Sequence, residues 1–260
     1  MTHGEESSTD HLTAPDLHVD PTIAGAYDAS HGDRFESEVL DATVRTLSEL
    51  AAGGPAVEFA VGTGRIALPL ARGGVSVHGI DFSQPMLDQL QAKPDADLIE
   101  TVLGDMTAHQ VCSDAKLVYL VFNTIMNLRT QEQQVACFRN AARHLAPGGR
   151  FLIETMVPQL HRLPPGETIR PFDVSPDHLG FDEYVDAVNQ ISISHHLYIN
   201  GERVRRFSSA FRYVWPSELD LMAQLVGMTL ESRWANWSRE PFTDSSTSHV
   251  SVWRTKLRDG

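Results

Sequence analysis

The chain has 260 residues, 42% of them hydrophobic, with 21 Lys and Arg against 34 Asp and Glu and a net charge of −13. That length supports one sizeable core, and the negative balance argues against nucleic-acid or anionic-membrane partners, since the densest basic run is only Arg203-Val204-Arg205-Arg206. Two cysteines without a CxxC spacing, no apolar run near about 18 residues, and a start with neither a basic leader nor an apolar stretch argue against a disulfide framework, a membrane span and a signal peptide, so a cytoplasmic location is expected.

Residues 1–20 are polar, with scattered Pro and Gly, and read as a mobile tail. The stretch GDRFESEVLDATVRTLSELAAGG places Phe35, Val39, Leu40, Val44, Leu47 and Leu50 at helical spacing, and Gly53 and Gly54 end that helix. Ala56–Ala60 reads as a short apolar strand interrupted by one acid, Glu58. Arg65–Ala71 reads as a helix opened by Gly62 and Gly64, and Val75–Ile80 as the second strand. Ser83 is a good cap for a helix running through Leu90, with Pro85 in its first turn. Leu98–Leu103 and Ala115–Phe122 follow as strands. Thr130-Gln-Glu-Gln133 resembles a capping box opening a helix to Leu145. Pro147-Gly148-Gly149 marks a turn before a fifth strand, Arg150–Met156. Strands alternating with helices imply a parallel sheet covered on both faces.

After Met156 the rhythm changes. Residues 158–180 are rich in Pro and Gly, and Asn200-Gly201 signals a tight hairpin between two alternating segments. From Pro216 the core resumes, with a helix to about Val226, a break at Gly227, and strands near Met228–Trp234 and Val250–Thr255. The expected organisation is a core of residues 21–156 and 214–260, with residues 157–213 as an inserted hairpin region covering a substrate.

Gly62-Thr63-Gly64-Arg65-Ile66-Ala67 matches G-x-G-x-x-[GA], and Asp81 ends the next strand, where an acid can take a ribose diol. A dinucleotide for hydride transfer is therefore one reading. Three features count against it. Glu58 interrupts a strand that a dinucleotide fold keeps apolar. Asp105 follows the third strand, where an adenine amine could donate to it. The alternation also stops after five strands.

Glu58-Phe-Ala-Val-Gly62-Thr-Gly64-Arg65 resembles the first motif of class I S-adenosylmethionine (SAM) methyltransferases. Asp81-Phe82-Ser-Gln-Pro-Met86-Leu87 resembles their second motif, and Gly104-Asp105-Met106 their adenine-contact motif. Leu117–Phe122 followed by Asn123 is similar to their fourth strand and its exit, and Leu145-Ala-Pro147-Gly148-Gly149 to the turn before strand five. The match runs through residues 22–156 in order. One departure is Ala60, where many members carry glycine; a small residue is expected to fit. The insertion resembles, more weakly, those of enzymes that tailor natural products, including amino-sugar N-methyltransferases.

The resemblance implies a Rossmann-like α/β fold with a seven-stranded, mostly parallel sheet, its last strand antiparallel. It implies that Gly62 and Gly64 lie against the methionine part of the cofactor, with Ala60 in the same loop and Gly104 in the adenine-contact motif. Glu58 would hold the amino group and Asp81 the ribose hydroxyls. Phe82 and Met86 would lie near the adenine, Asp105 would accept from its amine, and Met106 would pack on the ring. Tyr27 would cover the sulfonium; Arg65, Phe122 and Asn123 complete the set. Plainer roles stay open. Tyr27 could pack a helix, Phe82 and Met86 could be core, Asp81 could cap a helix, and Arg65 could lie on the surface.

Methyl transfer to a hydroxyl or protonated amine is helped by a general base, and twelve histidines offer candidates. His195 and His196 alternate on the insertion, so only one can face a pocket; a solvated strand face is the plain alternative. Glu154, Tyr184, Tyr198, Phe211 and Tyr213 could line an acceptor site, or simply seal the insertion to the core, and Asp182 and Trp215 are further candidates. No tight metal-ligand spacing appears. The expectation is methyl transfer from SAM to an O, N or C nucleophile of a small molecule, leaving S-adenosylhomocysteine, by a monomer or homodimer. An NAD(P)-dependent oxidoreductase and a non-catalytic SAM-binding regulator are the alternatives.

Overall fold

The computed structural model describes residues 21–30 and 37–257; the expected tail over residues 1–20, and Phe35, lie outside them. Helix α1 (Pro21–Ser30) and helix α2 (Ser37–Ala51) precede the sheet. Strands β1 (Ala56–Phe59), β2 (Val77–Asp81), β3 (Ile99–Leu103), β4 (Ala115–Leu120) and β5 (Leu145–Met156) then alternate with helices α3 (Ala67–Arg72), α4 (Gln84–Gln91) and α5 (Gln131–His144). Strands β6 (Ile169–Val174), β7 (His178–Asp186), β8 (Ile191–Asn200) and β9 (Arg203–Arg212) form the insertion. Helix α6 (Pro216–Leu225), β10 (Met228–Trp234) and β11 (Ser248–Thr255) close the chain.

The main sheet has seven strands in the order β10-β11-β5-β4-β1-β2-β3. Strands β1 to β5 pair in parallel, and β11 runs antiparallel to both β5 and β10. The chain winds outward from β1 to β3, then returns to place β4 on the other side of β1. That reversal opens a crevice at the C-terminal ends of β1 and β4, the usual ligand position of such sheets. Every residue of β1 is buried, as expected of a strand covered on both faces. One face packs Phe138, Phe151, Leu219, Met222 and Trp253; the other packs Leu47, Leu70, Leu87, Leu152 and Trp237.

Local chemistry fixes the helix starts. Ser83 Oγ accepts the Met86 N–H at 3.3 Å and caps α4. Thr130 and Gln133 form the expected capping box on α5, each side chain taking the other's backbone N–H. Elsewhere the boundaries move. Helix α3 starts at Ala67 rather than Arg65, because the preceding turn carries Gly64 at φ +77°. Strand β4 stops at Leu120, before Phe122, because Phe122 and Asn123 both turn left-handed, at φ +71° and +60°. The Pro147–Gly149 turn is absorbed into β5 as an irregularity opposite β4.

The insertion is more than a hairpin. It is a four-stranded antiparallel sheet in sequence order, β6-β7-β8-β9. Asn200 closes the β8–β9 ladder against Arg203, and Gly201 (φ +59°) opens the turn, so the turn is one residue later than Asn200-Gly201. Arg212 fastens this sheet to the core. Its guanidinium is buried and bonds Gln134 of α5, Gln190 at 2.8 Å and Glu218 of α6 at 2.7 Å. Among the described residues no helix is long and apolar enough to cross a membrane.

Removing one partner leaves a buried charge uncompensated, which costs more than the pair contributes. Glu218→Ala is therefore expected to destabilise the protein by about 3–5 kcal/mol in urea unfolding at pH 7. Although burial pushes the Glu218 carboxyl up, hydrogen bonds from Gln190, Arg212 and Gln131 hold it below its ordinary value of 4.5. Its contribution is thus present above about that pH and is lost as pH falls through the folded-state value. A loss under about 1 kcal/mol would contradict this role.

Candidate functional site

Three acids stand at or near the C-terminal ends of β1, β2 and β3. Asp81 ends β2 and is 5% exposed. Its Oδ2 accepts the Gly62 N–H at 2.7 Å and its Oδ1 the Ser83 N–H at 2.8 Å. Its carbonyl accepts the Gly104 N–H at 2.8 Å. One residue therefore ties the glycine loop, the start of α4 and the exit of β3 together. The loop itself turns through left-handed residues: Ala60 at φ +55°, Gly62 at +54° and Gly64 at +77°. A Cβ on Gly64 would meet Leu90 at 3.0 Å, so glycine is required there twice over. Ala60 takes the left-handed conformation at a backbone cost of about 1–2 kcal/mol.

Glu58 lies beside Gly79 of β2 and Tyr119 of β4 in the parallel register and is 3% exposed. The Tyr119 hydroxyl donates to Glu58 Oε2 at 2.9 Å. Burial pushes the Glu58 carboxyl up to about 8, against the lowering pull of that hydrogen bond, the Arg65 charge and the Ala67 N–H. Burial and the neighbouring Glu58 push the Tyr119 phenol well above its usual range. Asp105 is exposed and held in a turn, its Oδ1 accepting the Thr107 N–H at 2.7 Å while its own N–H bonds His109 Nδ1. Phe82 stands 45% exposed at the tip of β2, whereas Met86 is buried and Met106 is half-buried.

Across the crevice, the left-handed pair Phe122 and Asn123 is held from β5. Glu154 Oε2 accepts the Phe122 N–H at 3.0 Å and its Oε1 accepts the Trp237 indole N–H at 2.8 Å. Asn123 Oδ1 accepts the Met156 N–H at 2.7 Å and the Thr155 hydroxyl at 3.3 Å. Both Glu154 oxygens are thus engaged within the protein. The Arg65 guanidinium lies 4.7 Å over the Phe122 ring and bridges the two sides of the crevice.

Helix α1 is latched onto the glycine loop. Asp28 Oδ1 accepts the Thr63 hydroxyl at 2.6 Å, Asp28 Oδ2 pairs with Lys93 Nζ at 2.5 Å, and Lys93 also donates to the Thr63 carbonyl at 2.7 Å. Tyr27, one residue earlier on the same helix, is half-buried. The partners lie 35 and 30 residues apart in sequence, so no local spacing announced them. Tyr119 and Trp237 were likewise outside the sequence reading. Only the β1–β4 register reveals that Tyr119 faces Glu58.

In the insertion, residues directly opposed in an antiparallel ladder share a face. His195 opposes Phe181 and Ser208. Its ring nitrogens meet Ser208 Oγ at 2.8 Å and Glu183 Oε2 at 3.2 Å. His196 lies on the other face with Tyr184, Asp182 and Ser194. Tyr184 is buried at the base of that face, edge-on to Tyr213 at 5.4 Å, and its hydroxyl accepts the Gln159 N–H beyond β5 at 3.4 Å. Burial raises both phenols, and Phe211 packs against the same core. Tyr198 is six positions along β8 from Ser192, the residue opposite Tyr184, so it stands roughly 20 Å further out. The structure therefore groups Tyr184, Phe211 and Tyr213 but leaves Tyr198 at the distal end. Among the described residues no cluster of three or more His, Cys, Asp or Glu is placed to hold a metal ion.

Residues 56–149 match the model of a family described as a methyltransferase domain. The chain is 35% identical to the CcbJ methyltransferase of Streptomyces caelestis, whose structure superposes with a TM-score of 0.77 over 90% of this chain and 96% of that one. It is 26% identical over 202 residues to the cypemycin N-terminal methyltransferase of a Streptomyces species, covering 77% of this chain and 82% of the relative. The fold is also that of an amino pentose methyltransferase from Micromonospora echinaspora, with a TM-score of 0.67 at 17% identity over 89% of this chain and 97% of that one.

The Glu58 carboxyl has a stability signature. Its folded-state value of about 8 lies above the ordinary 4.5, so it opposes folding increasingly as pH rises between those values. Glu58→Gln keeps the shape without the charge and is expected to raise the melting temperature of the ligand-free protein by about 5 °C at pH 8, with no gain at pH 4. A lower melting temperature at pH 8 would show instead that ionised Glu58 stabilises the fold.

Proposed function

The chain belongs to the S-adenosylmethionine-dependent methyltransferases, and on that premise we propose that it methylates an amine nitrogen of a small natural product. The oxidoreductase reading of the glycine turn falls with that membership. The observation that carries the finer reading is Asp182, an acid at the middle of the insertion face that also bears Tyr184. A carboxylate in aromatic surroundings suits a cationic amine. Burial pushes its carboxyl above the ordinary 3.8, against hydrogen bonding from Ser194 and the Arg170 and His195 charges. Support for nitrogen over oxygen or carbon also comes from the cypemycin relative, which is named for an N-terminal substrate.

The residues present fit the cofactor. A buried carboxylate at the tip of β2, a second in β1 and a left-handed glycine loop between them suit an adenosyl group bearing an amino acid. When bound, SAM supplies a methyl group on a sulfonium. In this reading Asp81 holds the ribose hydroxyls, Glu58 the amino group and Asp105 the adenine amine. Phe82, Met86 and Met106 pack the base, while Ala60, Gly62, Gly64 and Gly104 let the backbone approach. Tyr27, latched by Asp28, covers the sulfonium side; Arg65, Phe122 and Asn123 line the crevice. Glu154 positions Phe122 at the acceptor's edge. Tyr184, Phe211 and Tyr213 form the acceptor floor, with Tyr198 at the outer rim. His196 rather than His195 serves proton removal. The insertion, residues 157–213, covers the acceptor on a core of residues 21–156 and 214–260. The enzyme works in the cytoplasm as a monomer or homodimer, without nucleic-acid or membrane partners.

Incubation with SAM and a panel of amino sugars, peptide N-termini and matched alcohols, read by mass spectrometry, tests the function. Methyl gain on amines is expected. Gain on alcohols alone would overturn the nitrogen assignment. No gain anywhere, with S-adenosylhomocysteine still bound, would favour the non-catalytic alternative.

Asp81→Asn is expected to weaken S-adenosylhomocysteine binding by about 1–3 kcal/mol, roughly 5- to 150-fold, in calorimetry. Unchanged affinity in a folded variant would remove Asp81 from the site.

A further inference from the structure

The insertion face that bears Tyr184 carries a line of hydrogen-bonding groups that methyl binding does not use. Asp173 Oδ2 meets His178 Nδ1 at 2.6 Å. His178 Nε2 meets His196 Nδ1 at 3.0 Å. His196 Nε2 lies 3.5 Å from Ser194 Oγ, and Ser194 stands directly opposite Asp182 in the β7–β8 ladder. The two imidazoles are stacked at 5.2 Å, with Tyr198 4.6 Å from His178 and the Phe172 ring 5.3 Å from His196. Phe172 comes this close because position 180 is glycine: a Cβ there would stand 2.2 Å from its ring. The line starts at Asp173, whose side chain is 42% exposed, and passes His178, at 16%. It reaches Asp182, two residues from buried Tyr184 on the same face.

We propose that Asp182, Ser194, His196, His178 and Asp173 form a proton exit path from the acceptor pocket to solvent. This rests on the reading that the Tyr184 face covers the acceptor. An amine that gains a methyl must lose one proton. Its N–H bond breaks and an O–H bond forms on Asp182. That proton passes to Ser194 Oγ as the serine's own proton moves to His196 Nε2. The His196 Nδ1 proton moves to His178 Nε2, and the His178 Nδ1 proton to Asp173 and then to water. One proton leaves the amine and one enters solvent, and both imidazoles end neutral. The charged groups facing the pair are Asp173 and Arg170 from β6, Asp182 from β7, and Arg205 of β9, which lies 5.6 Å over the Tyr198 ring. His195 belongs to the opposite face and takes no part. Asp182 is the group that touches the acceptor; the others act through it.

Nitrogen-15 NMR of the imidazole rings, in ligand-free and S-adenosylhomocysteine-bound protein, tests the path without an acceptor. The path predicts that His178 and His196 titrate as one coupled pair. It also predicts that Asp182→Asn, at the far end, shifts the His178 tautomer balance. Independent titration, untouched by Asp182→Asn, would overturn it. With an amine from the panel as acceptor, His178→Gln is expected to lower kcat at least about tenfold with KM for SAM unchanged. The acid limb of the pH profile should move, and added imidazole should restore part of the rate. A fall in kcat without rescue and without NMR coupling marks a merely structural role and also overturns the path. S-adenosylhomocysteine binding, measured on the same variants, separates these failures from failure of the cofactor site. If no panel amine is methylated, the NMR result decides alone.

Discussion

Asp81 holds the Gly62 and Ser83 N–H groups with its two side-chain oxygens and the Gly104 N–H with its carbonyl. Three loops leave the sheet at neighbouring strand ends, and this one residue sets their relation. Buried carboxylates persist only when hydrogen-bonded, and the N–H groups of a left-handed loop and a helix start are oriented to meet that need. The glycine loop, the α4 cap and the β3 exit are consequently parts of one device. The crevice exists because the strand order reverses between β1 and β4, and Asp81 at the tip of β2 and the buried Glu58 carboxyl in β1 stand at its edge.

The opposite wall is built on a different principle. Phe122 and Asn123 sit in a backbone region that bulky residues avoid. They are held there by Glu154, Thr155 and Met156 from β5, and Glu154 is itself steadied by Trp237. The insertion then continues from the same strand end. The support that β5 gives this strained backbone and the start of the insertion are thus contiguous in the chain. On one side the chain grips with hydrogen-bonded carboxylates; on the other it shapes an edge with strained backbone and an aromatic ring.

Much of this was legible where the physics is local. The Ser83 cap, the Thr130–Gln133 box and strand β10 follow from periodicity and capping chemistry, whereas the order of the strands in the sheet came only from the family resemblance. Glu58 and Asp81 stood out because acids are rare in or at the tip of a buried strand. What escaped was non-local. Helix α1 depends on an Asp28–Lys93–Thr63 latch whose members are far apart in sequence. Tyr119 meets Glu58 only through strand register. Strand β6 lies in the Pro- and Gly-rich stretch and β7 starts at its end, and the Arg212 anchor and the Tyr184–Tyr213 contact hold the sheet they join to the core. The alternation along β8 placed His195 and His196 on opposite faces, but which face turns inward depended on where Tyr184 packs.

The proposed function depends on one arrangement, in which carboxylates at three adjacent strand ends would hold one adenosyl ligand. A crystal structure of the protein with S-adenosylhomocysteine tests this most directly. The account predicts the ribose hydroxyls on Asp81, the ligand's amino group toward Glu58 and the adenine amine at Asp105. A nucleoside lying elsewhere, or bound with Asp81 still confined to its own backbone partners, would contradict it.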